Sequence, residues 1–277
     1  MSRIFEFRGV KGLVAAEITK DDATGYTAGT PFSIAGTSNV TCEVENSSDT
    51  HYYDNYGAIV ITSEGATTVT FETSGIPLDV YAKITGYTYD PNTGALIEGD
   101  RKVEYFAVGY QYQDTDGRNF YRYFYKGLFQ IPSSTHVTMN NSTDANGQTL
   151  VFTAIRTAHE FTIGENTEGI KTMALDTSLN LVDTSTFFAQ VTTPDMLVQK
   201  TAYELSTTMA ANTSLTVKNV GTGATLTDGA AIYAGDLLKI TVTNGTVTVN
   251  GSDFISGDIH VVAGDVAVVT TYVAPQE

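Results

Sequence analysis

Alternating apolar and polar residues recur along the chain and predict β-strands. In NVTCEVE, residues 39–45, Val40, Cys42 and Val44 alternate with polar residues, the pattern of a strand with one buried face. A turn-like SEGA stretch separates two β-branched runs. The predicted strands are 12–19, 39–45, 58–62, 67–73, 102–113, 120–131 and 148–157, with 170–178 and 187–192 as a final pair. The pattern predicts a mostly β protein.

One segment has helical spacing instead. Ile76, Val80 and Ile84 recur at every fourth position. A proline suits the first helical turn, and Gly86 suits the position after the last turn. The sequence therefore predicts one short helix over 76–85, with its apolar stripe against a sheet.

The strongest hairpin signal is a pair of aromatic strands joined by DTDGRN. Along the second strand, Tyr121, Tyr123 and Tyr125 share one face, while Arg122 shares the other with two phenylalanines, Lys126 and Leu128. Both faces are rich in aromatic residues, so both are expected to contact something. Because Tyr, Phe and Arg are enriched where subunits meet, the three tyrosines and Arg122 are predicted to lie at a subunit interface. The Asp-rich connection lacks most ligands of a calcium loop and is predicted to be a hairpin turn.

The last part of the chain has a different character. Thr/Val strands separated by Asn-Gly and Gly-Asp turns predict a small C-terminal β-sandwich. Asn244-Gly245 and Asn250-Gly251 are expected to bracket one short strand. Pro194 marks a break before this part. The predicted organisation is a first domain over 1–195, a linker over 196–205 and a second domain over 206–277.

Charge and cysteine content exclude several classes of function. The 31 acidic and 15 basic residues give a net charge of −16, which disfavours binding to nucleic acid through phosphate contacts. The single cysteine, Cys42, excludes an internal disulfide and a multi-thiolate zinc site, and it is expected to be a small buried apolar residue. The first residues carry no signal-peptide core, and no run reaches the roughly 18 apolar residues of a membrane span. Synthesis in the cytosol is the expectation.

Catalytic and cofactor motifs are absent from the sequence. It contains no Gly-rich phosphate-binding motif, no nucleophile elbow and no H-E-x-x-H zinc motif. The four histidines are far apart along the chain. We therefore predict no catalytic, metal or cofactor site and a protein that is not an enzyme. An aromatic platform for sugars, as in a cell-surface or carbohydrate-binding β-sandwich, stays open as the alternative, although such platforms rely on Trp and this chain has none.

Three segments in a fixed order carry a family resemblance. They are GLVAAEITKDDATGYTAGTPFSIAGTSNVTCEVENSSDTHYYDNY, then GIPLDVYAKITGY, then EYFAVGYQYQDTDGRNFYRYFYKGLFQIPSSTHVT. In the last segment Phe124 stands where a tryptophan is commoner. Over residues 9–194, this order resembles the siphophage major tail proteins, which are tail tube subunits.

The resemblance implies a two-sheet β-sandwich or barrel with one flanking helix, found in the virion tail after synthesis in the host cytoplasm. It implies hexameric rings that stack into a tube for genome delivery, with an inner wall of strands donated by every subunit. The implied partners are other copies of the chain, the tail terminator, the tape measure and the distal tail or initiator proteins. DNA would pass through an acidic lumen without specific binding. The C-terminal region resembles the Ig-like domains that decorate phage tubes, for which weak contact with host glycans and a passive role both stay open.

The resemblance also suggests a role for the HYYDNY stretch. Tyr52, Tyr53, Asp54 and Tyr56 lie between two strands, where rings or neighbouring subunits would meet. The interleaved polar residues make the stretch too polar to be buried whole. The cluster is predicted to be an interface, with a core role for one tyrosine as the alternative.

Overall fold

The computed structural model describes residues 4–53, 56–134, 146–263 and 269–271. The chain divides into two compact units, the first comprising Met1–Leu175 and Ser185–Met196 and the second Asp176–Thr184 and Leu197–Glu277. Both units are built mainly from strands, and the sheets curl into half-barrels. The predicted mostly β fold is confirmed.

The first unit contains thirteen strands and one α-helix among its described residues. They are β1 (Phe7–Asp22), β2 (Gly25–Ala28), β3 (Phe32–Ser33), β4 (Thr37–Tyr53), β5 (Tyr56–Thr73), α1 (Leu78–Thr85), β6 (Thr88–Asp90), β7 (Ala95–Ile97), β8 (Phe106–Asp114), β9 (Asn119–Phe129), β10 (Gln148–Ala154), β11 (Glu160–Ile163), β12 (Asn166–Gly169) and β13 (Thr172–Asp176).

Nine of these strands form one sheet. Its order is β2-β1-β8-β9-β10-β5-β4, with β3 also paired to β1 and β13 to β9. β6 pairs with β7 and β11 pairs with β12 as small separate hairpins. β4 therefore lies at one end of the strand order. The strongest predicted hairpin is confirmed as the antiparallel pair β8–β9.

The sheet carries a hydrophobic core on each face. The helix-side core contains Phe124, Phe152 and, from α1, Ile84. The opposite core contains Tyr123 and Tyr125. Since successive residues of a strand point to opposite faces, β9 supplies rings to both cores. This explains why both faces of the predicted hairpin are aromatic.

The helix runs over Leu78–Thr85, so the predicted helix is confirmed with a start two residues later. Ile84 is buried, and the partly buried Val80 packs against the same core. Gly86 ends the helix in the left-handed region at φ 78°, and its N–H donates to the carbonyl of Ala82. A glycine is needed there because a Cβ would lie 2.1 Å from the carbonyl oxygen of Lys102.

A partly buried ion pair joins β1 to β9. The Asp21 carboxylate accepts a hydrogen bond from Lys126 Nζ at 2.5 Å and from the backbone N–H groups of Ala158 and His159 at 3.0 and 2.8 Å. Burial by itself would raise the pKa of Asp21, but these hydrogen bonds and the positive charge of Lys126 outweigh it and lower the pKa. Asp21 is therefore ionised at neutral pH and stabilises the fold.

Two predictions about turns and strands in the first unit are wrong. SEGA is no turn, because β5 runs unbroken through it, and Gly65 and Ala66 together oppose the single Glu45 of β4 as a β-bulge. Residues 187–192 form turns instead of a strand, and the strand after 170 pairs with β9. Local turn residues and apolar content do not reveal which partner a segment will find.

Cys42 is exposed, contrary to the expectation of a buried residue. Of the three apolar residues that alternate in β4, Val40 packs against the helix-side core, while Val44 is exposed. The strand lies at one end of the strand order, so most of its length has no layer above it.

The second unit has eight strands among its described residues. They are β14 (Ala202–Glu204), β15 (Thr207–Met209), β16 (Ser214–Asn219), β17 (Thr225–Leu226), β18 (Ala231–Tyr233), β19 (Leu237–Val249), β20 (Ser252–Ala263) and β21 (Val269–Thr271). Six form a sheet of order β17-β16-β19-β20-β21 with β15 on β19, and β14 pairs with β18. The Ig-like relationship of this unit stays a prediction.

The two Asn-Gly pairs of this unit have different roles. Asn250-Gly251 forms the turn between β19 and β20, with both residues at positive φ. Asn244-Gly245 lies inside β19, where the pairing register shifts, so the short strand expected between the two pairs is part of one longer strand. Positive φ at an Asn-Gly pair thus serves a bulge as well as a turn.

Candidate subunit interface

The β4–β5 hairpin has two halves with different surroundings. Over residues 67–73 of β5, four side chains are buried at alternating positions, as expected where the hairpin belongs to the sheet. From residue 65 back to 59, every side chain is exposed, and so are residues 46–53 of β4. We call residues 46–53 and 56–64 the distal ribbon.

A lysine from another part of the unit fastens the base of the distal ribbon. Lys171 is buried, and its ammonium donates to the Glu64 carboxylate and, at 3.0 Å, to the carbonyl of Gly65. The hydrogen bond from Lys171 and its charge lower the pKa of Glu64. These contacts lie at the bulge, so they fix the point at which the ribbon leaves the sheet.

The distal ribbon is apolar on both of its faces. Ile59 and Ile61 point to one face and Val60 to the other, and all three are exposed. They pair with His51, Asp49 and Thr50 on β4. Monomeric soluble proteins rarely expose contiguous apolar patches of any size, and those that do commonly use them to bind a partner.

The predicted tyrosine cluster lies at the tip of this ribbon. Tyr52, Tyr53 and Tyr56 are all exposed, with Tyr56 at 77%. Tyr53 and Tyr56 are paired across the hairpin. Asp54 lies outside the described residues. The three tyrosines have no core role within the subunit, and their interface role stays a prediction.

The structure distributes the four predicted residues of β9 differently. Tyr123 and Tyr125 are fully buried, and the Tyr125 hydroxyl donates to the carbonyl of Thr192 at 2.8 Å. Tyr121 is partly exposed and contacts the rings of Phe187 and Phe188. Residues 185–196 cover this face of β9, so Tyr123 and Tyr125 are core residues and not surface residues of the subunit. The sequence signal for this covering segment was the pair of adjacent phenylalanines in FFAQVT. Two such rings outside a strand must be buried against another surface.

Arg122 points to the helix-side face and lines a pocket of about 480 Å³. Its guanidinium lies 5.7 Å from the centre of the Phe124 ring, and its Nη1 lies 3.9 Å from Cys42 Sγ. Tyr110 and Tyr112 of β8 line the same pocket. Sequence reasoning identified Arg122 but not this pocket, because β4 and β9 are distant along the chain.

Metal and membrane sites receive no support from the part of the chain that the structure describes. Within it, no three His, Cys, Asp or Glu side chains are grouped so that they could hold a metal ion. The Asp114 carboxylate, in the calcium-like stretch, accepts from the N–H groups of Asp116 and Arg118 and so shapes the predicted turn. No helix among the described residues has the length and apolar content needed to cross a membrane.

Comparison with protein-family models gives a match over much of the chain. Residues 24–191, which are more than half of the chain, match the family model of the phage tail tube protein. The chain belongs to the phage tail tube protein family. A search of curated proteins returned no match.

The family match places this tail tube protein among the structural components of the virion tail, which associate with themselves to form a tube. The matched residues include the whole β4–β5 hairpin, the helix α1 and the β8–β9 pair. They end within 185–196, the segment that covers Tyr123 and Tyr125. Residues 197–277 of the tail tube protein lie outside the match.

Proposed function

We propose that this protein is the repeating subunit of the tube wall and that its copies form hexameric rings, which stack into the conduit for genome delivery. The observation that carries the proposal is the distal ribbon, a two-stranded extension with exposed apolar side chains on both faces. The family assignment favours this function over the sugar-binding alternative.

An isolated two-stranded hairpin is at best marginally stable in water. The strand of the distal ribbon from residue 46 to residue 53 is roughly 25 Å long at the usual rise per residue of a strand. The apolar side chains Ile59, Val60 and Ile61 of the distal ribbon are exposed and so are not buried in either core of the subunit. A neighbouring copy that covers the ribbon would remove these side chains from water and stabilise the extended conformation.

The outer edge of β4 offers a second means of association. Among the described residues no strand pairs along this edge, because β4 is last in the sheet order. Open N–H and C=O groups of an edge strand readily pair with a strand of another chain. A ring in which each subunit pairs to the next has no open edges left, which is the arrangement of a closed barrel.

The net charge suits a conduit. At −16 per subunit, a ring carries a large negative charge, and a lumen lined by carboxylates would repel the DNA backbone. DNA would then pass without being bound. The same proposal includes the tail terminator, the tape measure and the distal tail or initiator proteins as partners at the ends and in the lumen of the tube.

The second unit is proposed to decorate the tube as an Ig-like domain, outside the family match. Weak contact with host surface glycans and a passive role are the two alternatives for it. Binding of the purified full chain to a glycan array would decide between them, and an array without signal would leave the passive role.

Negative-stain electron microscopy and sedimentation velocity of the purified full chain test the proposed function. Over a concentration series we expect rings with six-fold symmetry or tubes, with a matching loss of the monomer peak. A chain that stays monomeric at every concentration, or that forms rings of another symmetry, would contradict the hexameric proposal.

A further inference from the structure

The pocket around Arg122 lies where β1 and β4 approach each other. It is lined by Phe7, Arg8, Gly9 and Val10 of β1, by Ser38, Asn39, Val40 and Cys42 of β4, and by Tyr110, Tyr112 and Arg122. Its volume of about 480 Å³ is in the range of pockets that take a ligand. Its β4 wall leads directly into the distal ribbon.

Arg122 has no acidic partner among the described residues. Its Nε is buried and makes no hydrogen bond. Within the described part of the chain, the guanidinium hydrogen-bonds only to neutral groups, the Tyr110 hydroxyl and the Cys42 thiol, which lie 3.6 Å apart. A guanidinium has five N–H donors arranged to bind a carboxylate through two parallel hydrogen bonds. A buried donor without an acceptor is costly, so this arrangement indicates an ion pair that lacks one member.

Other cations of the same unit show that the fold can supply an acidic partner. Lys126 and Lys171 are its two least exposed lysines. Lys126 pairs with Asp21, and Lys171 pairs with Glu64. Arg122 is likewise partly buried, yet among the described residues no carboxylate forms an ion pair with it.

We propose that this pocket receives an aspartate or glutamate side chain from a second copy of the chain, which forms a salt bridge with Arg122. The inference rests on the proposed self-assembly. Each copy brings 31 acidic residues against 15 basic ones, so an approaching copy offers carboxylates in excess. Four residues of β4, the strand along whose open edge copies are proposed to pair, line the pocket. The aromatic walls from Tyr110 and Tyr112 lower the local dielectric and strengthen the attraction.

The native thiol of Cys42 reports on occupancy of the pocket. It is the chain's one cysteine and is exposed in the subunit, so a maleimide will label only this position. We expect labelling to be at least about ten-fold slower in associated protein than in dilute monomer. A benzophenone attached to Cys42, used in a mixture of ¹⁴N- and ¹⁵N-labelled protein, should cross-link to an acidic segment of the other isotope. Equal labelling rates, or cross-links only within one copy, would overturn the inference.

Charge removal gives an independent test. Arg122→Gln should weaken self-association roughly 30-fold or more, because a carboxylate would then be buried without its partner. Lys218→Gln removes one positive charge from an exposed position of the second unit and should leave association unchanged. Thermal unfolding of Arg122→Gln should occur at the wild-type temperature or above it, since an unpaired charge is removed. A large loss of thermal stability would show a structural role and overturn the inference.

The outcomes separate this inference from the proposed function. If Arg122→Gln associates as the wild type does, the salt bridge is refuted and the proposed assembly stands. If the wild-type chain never associates, the proposed assembly is refuted and the inference with it. Protection of Cys42 in the monomer by a DNA oligonucleotide would overturn the choice of a protein carboxylate in favour of a phosphate.

Discussion

Replacing the aliphatic side chains of the distal ribbon should abolish assembly while leaving the subunit folded. The proposed variant is Ile59→Thr, Val60→Thr and Ile61→Thr. Threonine keeps the β-branched shape that suits a strand, so the hairpin should persist. The three side chains are 49%, 62% and 54% exposed in the subunit, so about half of each is available to a neighbour.

The magnitude follows from these exposures. Full burial of an aliphatic side chain contributes about 1.5–3 kcal/mol, so burying the exposed half contributes about 1 kcal/mol per residue. Because threonine keeps one methyl group, the triple variant should lose about 2–3 kcal/mol per contact. At about 1.4 kcal/mol per factor of ten, the association constant should fall roughly 30- to 150-fold.

Sedimentation velocity over a concentration series measures this change, and thermal unfolding of the monomer measures folding. The matched control is Ile163→Thr, Val198→Thr and Val220→Thr, three exposed aliphatic residues that are not part of the ribbon. We expect the control to associate as the wild type does and both variants to unfold near the wild-type temperature. Wild-type association of the ribbon variant would refute the reasoning, and so would an equal loss in the control.

Three further predictions concern the tip of the ribbon and the cores. Changing Tyr52, Tyr53 and Tyr56 together to serine should impair assembly but leave thermal unfolding of the monomer unchanged, because all three are exposed; destabilisation of the monomer would point to a core role instead. Asp21→Asn should lower the free energy of unfolding by about 3 kcal/mol in urea titrations. The pKa of Asp21 is lowered in the folded state, so its contribution to the free energy of unfolding is complete above the ordinary carboxyl pKa. That contribution is lost as the pH falls through the folded-state pKa. The free energy of unfolding of the variant should therefore fall less than that of the wild type between neutral and acidic pH. Gly127→Ala should lower the free energy of unfolding by about 1–3 kcal/mol, because a Cβ would lie 2.4 Å from the Phe152 ring, and wild-type stability would show that the strands can shift.

Local sequence was informative where it alone decides the conformation. The helix over Leu78–Thr85 follows from apolar spacing and from a glycine that can adopt positive φ. The β8–β9 hairpin follows from β-forming residues on either side of an Asp-Gly turn. The exposed tyrosines at the ribbon tip follow from the polar residues interleaved with them.

Position in the sheet was not readable from the same patterns. Cys42 lies in an alternating run that suggests a buried face, but an end strand has no second layer over most of its length. The residues around Gly65 are typical of a turn, but in the structure they pair with β4 and form a β-bulge within β5. In both places a distant segment decides the outcome.

The sequence by itself determined the mostly β class, the helix, the aromatic hairpin and an acidic chain, because each depends on composition or on residues close together along the chain. Only the tertiary structure decided that Tyr123 and Tyr125 are core residues, since residues 185–196 must fold back over β9 to cover them. It likewise isolated Arg122 from every carboxylate among the described residues and left the distal ribbon exposed. The burial of a residue and the pairing of its strand depend on contacts with segments that are distant in sequence. The alternation of residues along one strand does not reveal those contacts.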